Sequence, residues 1–98
     1  MEKFNELIQS EKPVLVDFYA EWCGPCQMMK PRILDVAERI GEDAKVVQID
    51  VDKEKEIAER FRIQSVPTLI IFKKGKQLWR QTGVISTNAL VLMLRNYI

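Results

Sequence analysis

The stretch that most constrains the fold is the run from Val14 to Tyr19, Val-Leu-Val-Asp-Phe-Tyr, which is apolar on both faces of a β-strand. Strands of this kind are typical of the centre of an α/β sheet that helices cover on each side. The exception is Asp17, because a carboxylate is costly to bury without a partner. The run therefore predicts a sheet with helices on both faces and an acid in its interior.

Helical and strand patterns alternate along the rest of the chain. The predicted elements are a helix over 2–10, the strand, a helix over 25–40, a strand over 46–51, a helix over 53–62, a hairpin with strands over 68–72 and 78–82, and a last helix that Ser86 or Thr87 caps. The last helix should bury Leu90, Leu94, Tyr97 and Ile98. Strands separated by helices pair in parallel, and a hairpin adds antiparallel strands. The expected fold class is therefore α/β, with a mixed sheet of about four strands flanked by four helices.

Length and charge narrow the classes of function. A chain of 98 residues suits one domain over 1–98 and is too short for two independent cores. With 15 basic and 14 acidic side chains, it has no basic surplus that would favour nucleic acid. No segment reads as a leader or a membrane span. We therefore expect a cytoplasmic protein with neither nucleic acid nor membrane as a partner.

The only two cysteines, Cys23 and Cys26, lie three positions apart in Trp-Cys-Gly-Pro-Cys. They can be a redox pair, half of a metal site or two buried thiols. A closed zinc site needs about four ligands, and this chain has no histidine and no other cysteine. A metal shared between two chains stays open, but the spacing favours a redox pair with no metal.

The position of the pair supports redox chemistry. Cys23 follows a strand and precedes a helix, whose free amides and dipole stabilise a thiolate. Cys26, inside the helix, would be the buried resolving thiol, and Pro25 suits the first helical turn. Burial of Asp17 would raise its pKa and suit it to exchange a proton with a buried thiol. The alternative is that Asp17 bonds only to nearby backbone or water.

The segment from Val16 to Cys26, Val-Asp-Phe-Tyr-Ala-Glu-Trp-Cys-Gly-Pro-Cys, resembles the active-site stretch of thioredoxins. The resemblance continues through residues 30–31, 49–52, 63–68, 72–75 and Gly83. It implies that Cys23 attacks a target disulfide, that Cys26 resolves the mixed disulfide and that Asp17 assists Cys26. It also implies a cis bond before Pro67, where sequence alone favours trans.

The same resemblance implies a substrate groove and a function. The groove residues would be Trp22, Gly24, Pro25, Val66, Pro67, Gly83 and Val84. The implied function is that of a monomeric general protein-disulfide reductase with no bound cofactor, which receives electrons from NADPH through a flavin-containing thioredoxin reductase. A disulfide oxidant or isomerase, and a redox-independent binding subunit or chaperone, remain alternatives.

The sequence departs from the thioredoxin pattern in two places, and these departures predict a change in the number of strands and in the pKa of Asp17. Thioredoxins usually begin with an edge strand, whereas this chain begins with the helix, so we expect four strands rather than five. Many bacterial thioredoxins carry a lysine near the buried acid, and the matching residue here is Val46. If nothing replaces that lysine, the pKa of Asp17 should rise further.

Overall fold

A four-stranded mixed sheet with helices on both faces organises the chain, as predicted. The computed structural model describes residues 1–98. The elements are α1 (Glu2–Ile8), β1 (Val14–Tyr19), α2 (Gly24–Ile40), a 3-10 turn (Gly41–Asp43), β2 (Lys45–Asp50), α3 (Lys55–Arg60), β3 (Thr68–Lys73), β4 (Lys76–Thr82) and α4 (Thr87–Arg95). The strand order is β2-β1-β3-β4, with β1 parallel to β2 and antiparallel to β3. None of the helices is both long and apolar enough to cross a membrane.

The sheet separates two apolar cores, because alternate residues of β1 point to opposite faces. On one face α2 and α4 pack over Leu15, Leu69 and Ile71. On the other face α1 and α3 pack over Val14, Val16, Phe18, Ile70 and Phe72. The central strands β1 and β3 are buried along nearly their whole length, as the two-sided apolar run predicted.

The last helix differs from the prediction at its end. Ser86 caps it, since its side chain accepts a hydrogen bond from the amide of Ala89. Leu90 and Leu94 are buried, but Ile98 is 53% exposed. The placement of Ile98 on the inner face was wrong, because the α-helix ends at Arg95, before Ile98, and the chain continues in a turn.

The third helix is shorter than predicted because both flanks adopt other hydrogen bonds. Before it, the amides of Asp52 and Lys53 donate to the carboxylate of Asp50. After it, the amide of Ile63 donates to the carbonyl of Ala58, and Arg62 takes the left-handed conformation, with φ of 52°. These bonds confine α3 to Lys55–Arg60.

The topology brings two distant loops to one edge of the sheet. Since β3 runs antiparallel to β1, Phe18 pairs with Thr68. The loop after β1 and the loop before β3 therefore meet. The Val66–Pro67 bond in the second loop is cis, which confirms the expectation drawn from the resemblance.

Candidate active site

A disulfide joins Cys23 and Cys26 at the start of α2, with Cα atoms 5.3 Å apart. Cys23 is the N-cap of the helix, and Pro25 lies in its first turn. The amide of Cys26 donates a hydrogen bond to Sγ of Cys23 at 3.2 Å. The sulfur therefore occupies the place of an N-capping oxygen, where the helix amides favour negative charge.

Both cysteines are buried, with 5% of Cys23 and 2% of Cys26 exposed. Burial was expected to distinguish the resolving thiol, and in this disulfide it does not. One reason is that the carbonyl oxygen of Val66 lies 3.6 Å from Sγ of Cys23. The loop before the cis-proline thus covers the first sulfur and places backbone polar atoms beside it.

Asp17 lies inside the sheet, 1% exposed. Strand alternation places it on the same face as Leu15, beneath the helix that carries Cys26. Its Oδ1 has no hydrogen-bond partner, and its Oδ2 accepts a 3.5 Å bond from the side chain of Gln48. The pKa of Asp17 is raised from 3.8 to about 6, because desolvation, which raises it, outweighs the Gln48 bond, which lowers it. The burial and the raised pKa are confirmed, whereas the proton-transfer role stays a prediction.

The partner of Asp17 is a residue that sequence reasoning missed. Val46, the residue in place of a lysine, pairs with Leu15, while Gln48 pairs with Asp17. Gln48 therefore takes the place of the lysine as the polar partner of Asp17, but its side chain is an uncharged donor. This pairing is set by the register of β1 on β2. Local sequence patterns do not predict that register.

Trp22 is exposed over 73% of its surface, yet its ring is oriented by a hydrogen bond. Its Nε1 donates to Oδ2 of Asp52 at 2.8 Å. Beside the disulfide, a shallow pocket of about 190 Å³, the Trp22 pocket, is lined by Trp22, Val51, Ile63, Gln64, Ser65 and Val66. An apolar wall with a fixed aromatic ring suits contact with a polypeptide.

The structure brings only part of the predicted groove together. Trp22 and Val66 share the Trp22 pocket, and the amide of Gly83 donates to the carbonyl of Pro67 at 2.9 Å. Gly24, Pro25 and Val84 are exposed and lie outside that pocket. A Cβ added at Gly24 would meet no atom within 4 Å, so packing does not require glycine there. Sequence reasoning missed four lining residues, Val51, Ile63, Gln64 and Ser65.

The chain by itself does not form a metal site from its own side chains. No three His, Cys, Asp or Glu side chains are grouped so that they could hold a metal ion. The two sulfurs are bonded to each other instead. A bonded pair of this kind is the oxidised form of a dithiol.

Comparison with known proteins agrees with this chemistry. A family model described as Thioredoxin matches residues 1–96. Thioredoxin Y, chloroplastic, of Oryza sativa subsp. japonica is 49% identical over 94 residues, which are 95% of this chain and 56% of that protein. A thioredoxin-like protein of Synechocystis sp. is 47% identical over 96 residues, covering 97% of this chain and 91% of that protein. The chain thus spans little more than half of the rice relative.

Solved structures extend the likeness to the backbone. A mutant thioredoxin from Halobacterium salinarum superposes with a TM-score of 0.90 at 36% identity, covering 99% of this chain and 84% of that one. The matched family and the bonded Cys23–Cys26 pair support thiol-disulfide reductase activity. Neither finding favours the oxidant or the redox-independent subunit.

Proposed function

Because the chain belongs to the thioredoxin family, we propose that it is a general protein-disulfide reductase in which Cys23 attacks, Cys26 resolves and Asp17 moves the proton of Cys26. The observation that carries the proposal is the Cys23–Cys26 disulfide, with Sγ of Cys23 accepting the amide of Cys26 at the start of α2. This disulfide is the product that a completed reduction leaves behind.

The first step forms a mixed disulfide. In the reduced protein, the amide of Cys26 and the dipole of α2 stabilise the thiolate of Cys23, which is the attacking form in disulfide exchange. The thiolate bonds to one sulfur of a target disulfide. The target S–S bond breaks, and the other target sulfur leaves as a thiolate that takes a proton from water.

The second step releases the target. Asp17, with a pKa of about 6, is mostly ionised at neutral pH and can accept the proton of the Cys26 thiol. The Cys26 thiolate then attacks Sγ of Cys23. The Cys23–Cys26 bond forms, the second target sulfur leaves, and two electrons have passed from this protein to the target.

Target docking is proposed at the surface around the disulfide. Trp22, Gly24, Pro25, Val66, Pro67, Gly83 and Val84 would contact the polypeptide that carries the disulfide. The support for this docking surface is the apolar Trp22 pocket and three exposed residues outside it, Gly24, Pro25 and Val84. Pro67 itself is buried. An extended target segment beside Val66 would place its sulfur near Cys23, since the Val66 carbonyl lies 3.6 Å from that sulfur.

The proposed source of electrons is NADPH, through a flavin-containing thioredoxin reductase, with no cofactor held by this chain. The proposed protein acts as a monomer in the cytoplasm, where a reducing pool favours dithiols. The rice relative is named chloroplastic, so cell fractionation is the test of location. Recovery from plastids would overturn the location and leave the chemistry intact.

The experiment is reduction of a single-disulfide protein in one turnover, with the protein reduced beforehand and freed of reductant. Wild type should produce target dithiol in proportion to its own oxidation, and Cys23→Ser should produce none. Full activity of Cys23→Ser would refute the mechanism. A redox titration against glutathione separates reductase from oxidant, because a reductase should have a potential near about −270 mV and a strong oxidant one near about −120 mV.

A further inference from the structure

A second pocket, which we call the basic pocket, continues from the Trp22 pocket along the loop that follows α3. It has a volume of about 360 Å³ and is open to solvent. It shares Val51, Ile63 and Gln64 with the Trp22 pocket and adds Lys55, Ala58, Glu59 and Arg62. The two pockets therefore form one continuous surface that leads away from the disulfide.

The cations of the basic pocket, Lys55 and Arg62, make no ion pair within the chain. The chain contains two ion pairs, Arg39 with Asp35 and Lys74 with Glu11, and neither involves this pocket. The side chains of Lys55 and Arg62 also donate none of the side-chain hydrogen bonds of the structure. Other basic groups nearby are engaged, since Arg80 donates to the carbonyl oxygens of Phe61 and Arg62.

Arg62 occupies a backbone position that favours glycine. Its φ is 52°, and the amide of Ile63 donates to the carbonyl of Ala58 in the pattern of a helix-ending Schellman turn. Glycine is the usual residue there because it has no Cβ to strain. An arginine is present at a conformational cost although its side chain has no partner within the fold. Strain of this kind points to a role outside the fold.

We infer that Lys55 and Arg62 determine target preference. They favour target disulfides that carry acidic side chains about four residues from the attacked cysteine, a spacing set by the distance between Arg62 and Val66. Arg62 precedes Val66 by four positions, so their Cα atoms are at most about 14 Å apart. The Val66 carbonyl lies 3.6 Å from Sγ of Cys23, so an extended target segment of about four residues covers this distance. The charged residues that line the pocket are two cations, Lys55 and Arg62, and one carboxylate, Glu59. The inference rests on the proposed disulfide reductase function and names its targets.

The test uses two disulfide peptides that differ only in a Glu-Glu or a Gln-Gln pair four residues from the target cysteine. Second-order rate constants for reduction by pre-reduced protein are measured at low and high salt. Wild type should reduce the acidic peptide about two- to fivefold faster at low salt, as expected for exposed charge pairs. The preference should shrink at high salt.

Variants separate this inference from the proposed function. Lys55→Gln with Arg62→Gln should reduce the Gln-Gln peptide at the wild-type rate and lose the acidic preference. The matched control, Lys76→Gln, removes an exposed cation at the start of β4, at the opposite end of the sheet, and should keep the preference. No preference in wild type, or its survival in the double variant, would overturn the inference alone. Failure of wild type to reduce either peptide would overturn the proposed function and the inference with it.

Discussion

Gln48 donates a 3.5 Å hydrogen bond to Oδ2 of Asp17 from the paired position of the neighbouring strand. The bond is long and its donor is uncharged, so it offsets little of the cost of burying the carboxylate. The other oxygen of Asp17 has no partner at all. Desolvation therefore dominates and raises the pKa of Asp17 to about 6.

The buried carboxylate should make the fold less stable as the pH rises. Its pKa is raised in the folded state, so its contribution is fully present below pH 3.8 and is lost as the pH passes about 6. Asp17→Asn should therefore be more stable than wild type at pH 8, by about 3 kcal/mol, with most of the difference gone by pH 4. Urea unfolding of the oxidised proteins at both pH values measures this.

An exposed acid serves as the control for this titration. Glu42 lies in the 3-10 turn and takes part in neither ion pair of the chain. Glu42→Gln, which removes one negative charge from the surface, controls for the loss of charge alone. A difference between Asp17→Asn and wild type that stayed constant from pH 4 to pH 8 would contradict the assignment of the raised pKa to Asp17.

Asp52 should hold the ring of Trp22 in place for target docking. The bond from Nε1 of Trp22 to Oδ2 is 2.8 Å long. Loss of one such bond costs about 0.5–1.5 kcal/mol, so Asp52→Ala should slow reduction of a protein disulfide about two- to tenfold. The indole N–H resonance of Trp22 should exchange faster with solvent in that variant.

The conservative variant distinguishes orientation of the ring from charge. Asp52→Asn keeps an oxygen acceptor for the indole and should retain most of the wild-type rate and the slow exchange. If Asp52→Ala matched wild type in both measurements, the bond would have no part in docking.

Arg62→Gly should stabilise the protein while it removes one cation of the basic pocket. A left-handed conformation costs a residue with a Cβ about 1–2 kcal/mol, part of which is offset by the greater freedom of glycine in the unfolded chain. We expect a gain of about 1 kcal/mol in the free energy of unfolding. Arg62→Ala, which keeps the Cβ, should gain nothing. Equal stability of the two variants would show that φ at Arg62 carries no strain.

Much of the fold follows from local patterns. The run from Val14 to Tyr19 predicts a central strand because both of its faces are apolar, and the position of Cys23 at the start of a helix follows from the strand before it. The hairpin follows from the glycine between two strand patterns, although β4 begins earlier, at Lys76, than predicted.

The rest depends on contacts between distant segments. Gln48 could not be assigned to Asp17 without the register of β1 on β2. Val51 and Ile63 line the Trp22 pocket because β2 and the loop before β3 end at the same edge of the sheet. The early end of α3 depends on Arg62 and on Arg80, a residue from β4. Such pairings are tertiary, so periodicity along the chain does not contain them.

The central claim is that Cys23 attacks the target and Cys26 releases it, and covalent trapping tests this most directly. Reduced Cys26→Ser, mixed with a single-disulfide protein, should accumulate a mixed disulfide that mass spectrometry locates at Cys23. Reduced Cys23→Ser should accumulate none, because its remaining thiol lies inside α2. A target trapped on Cys26 of the Cys23→Ser variant, with none on Cys23 of Cys26→Ser, would contradict the account.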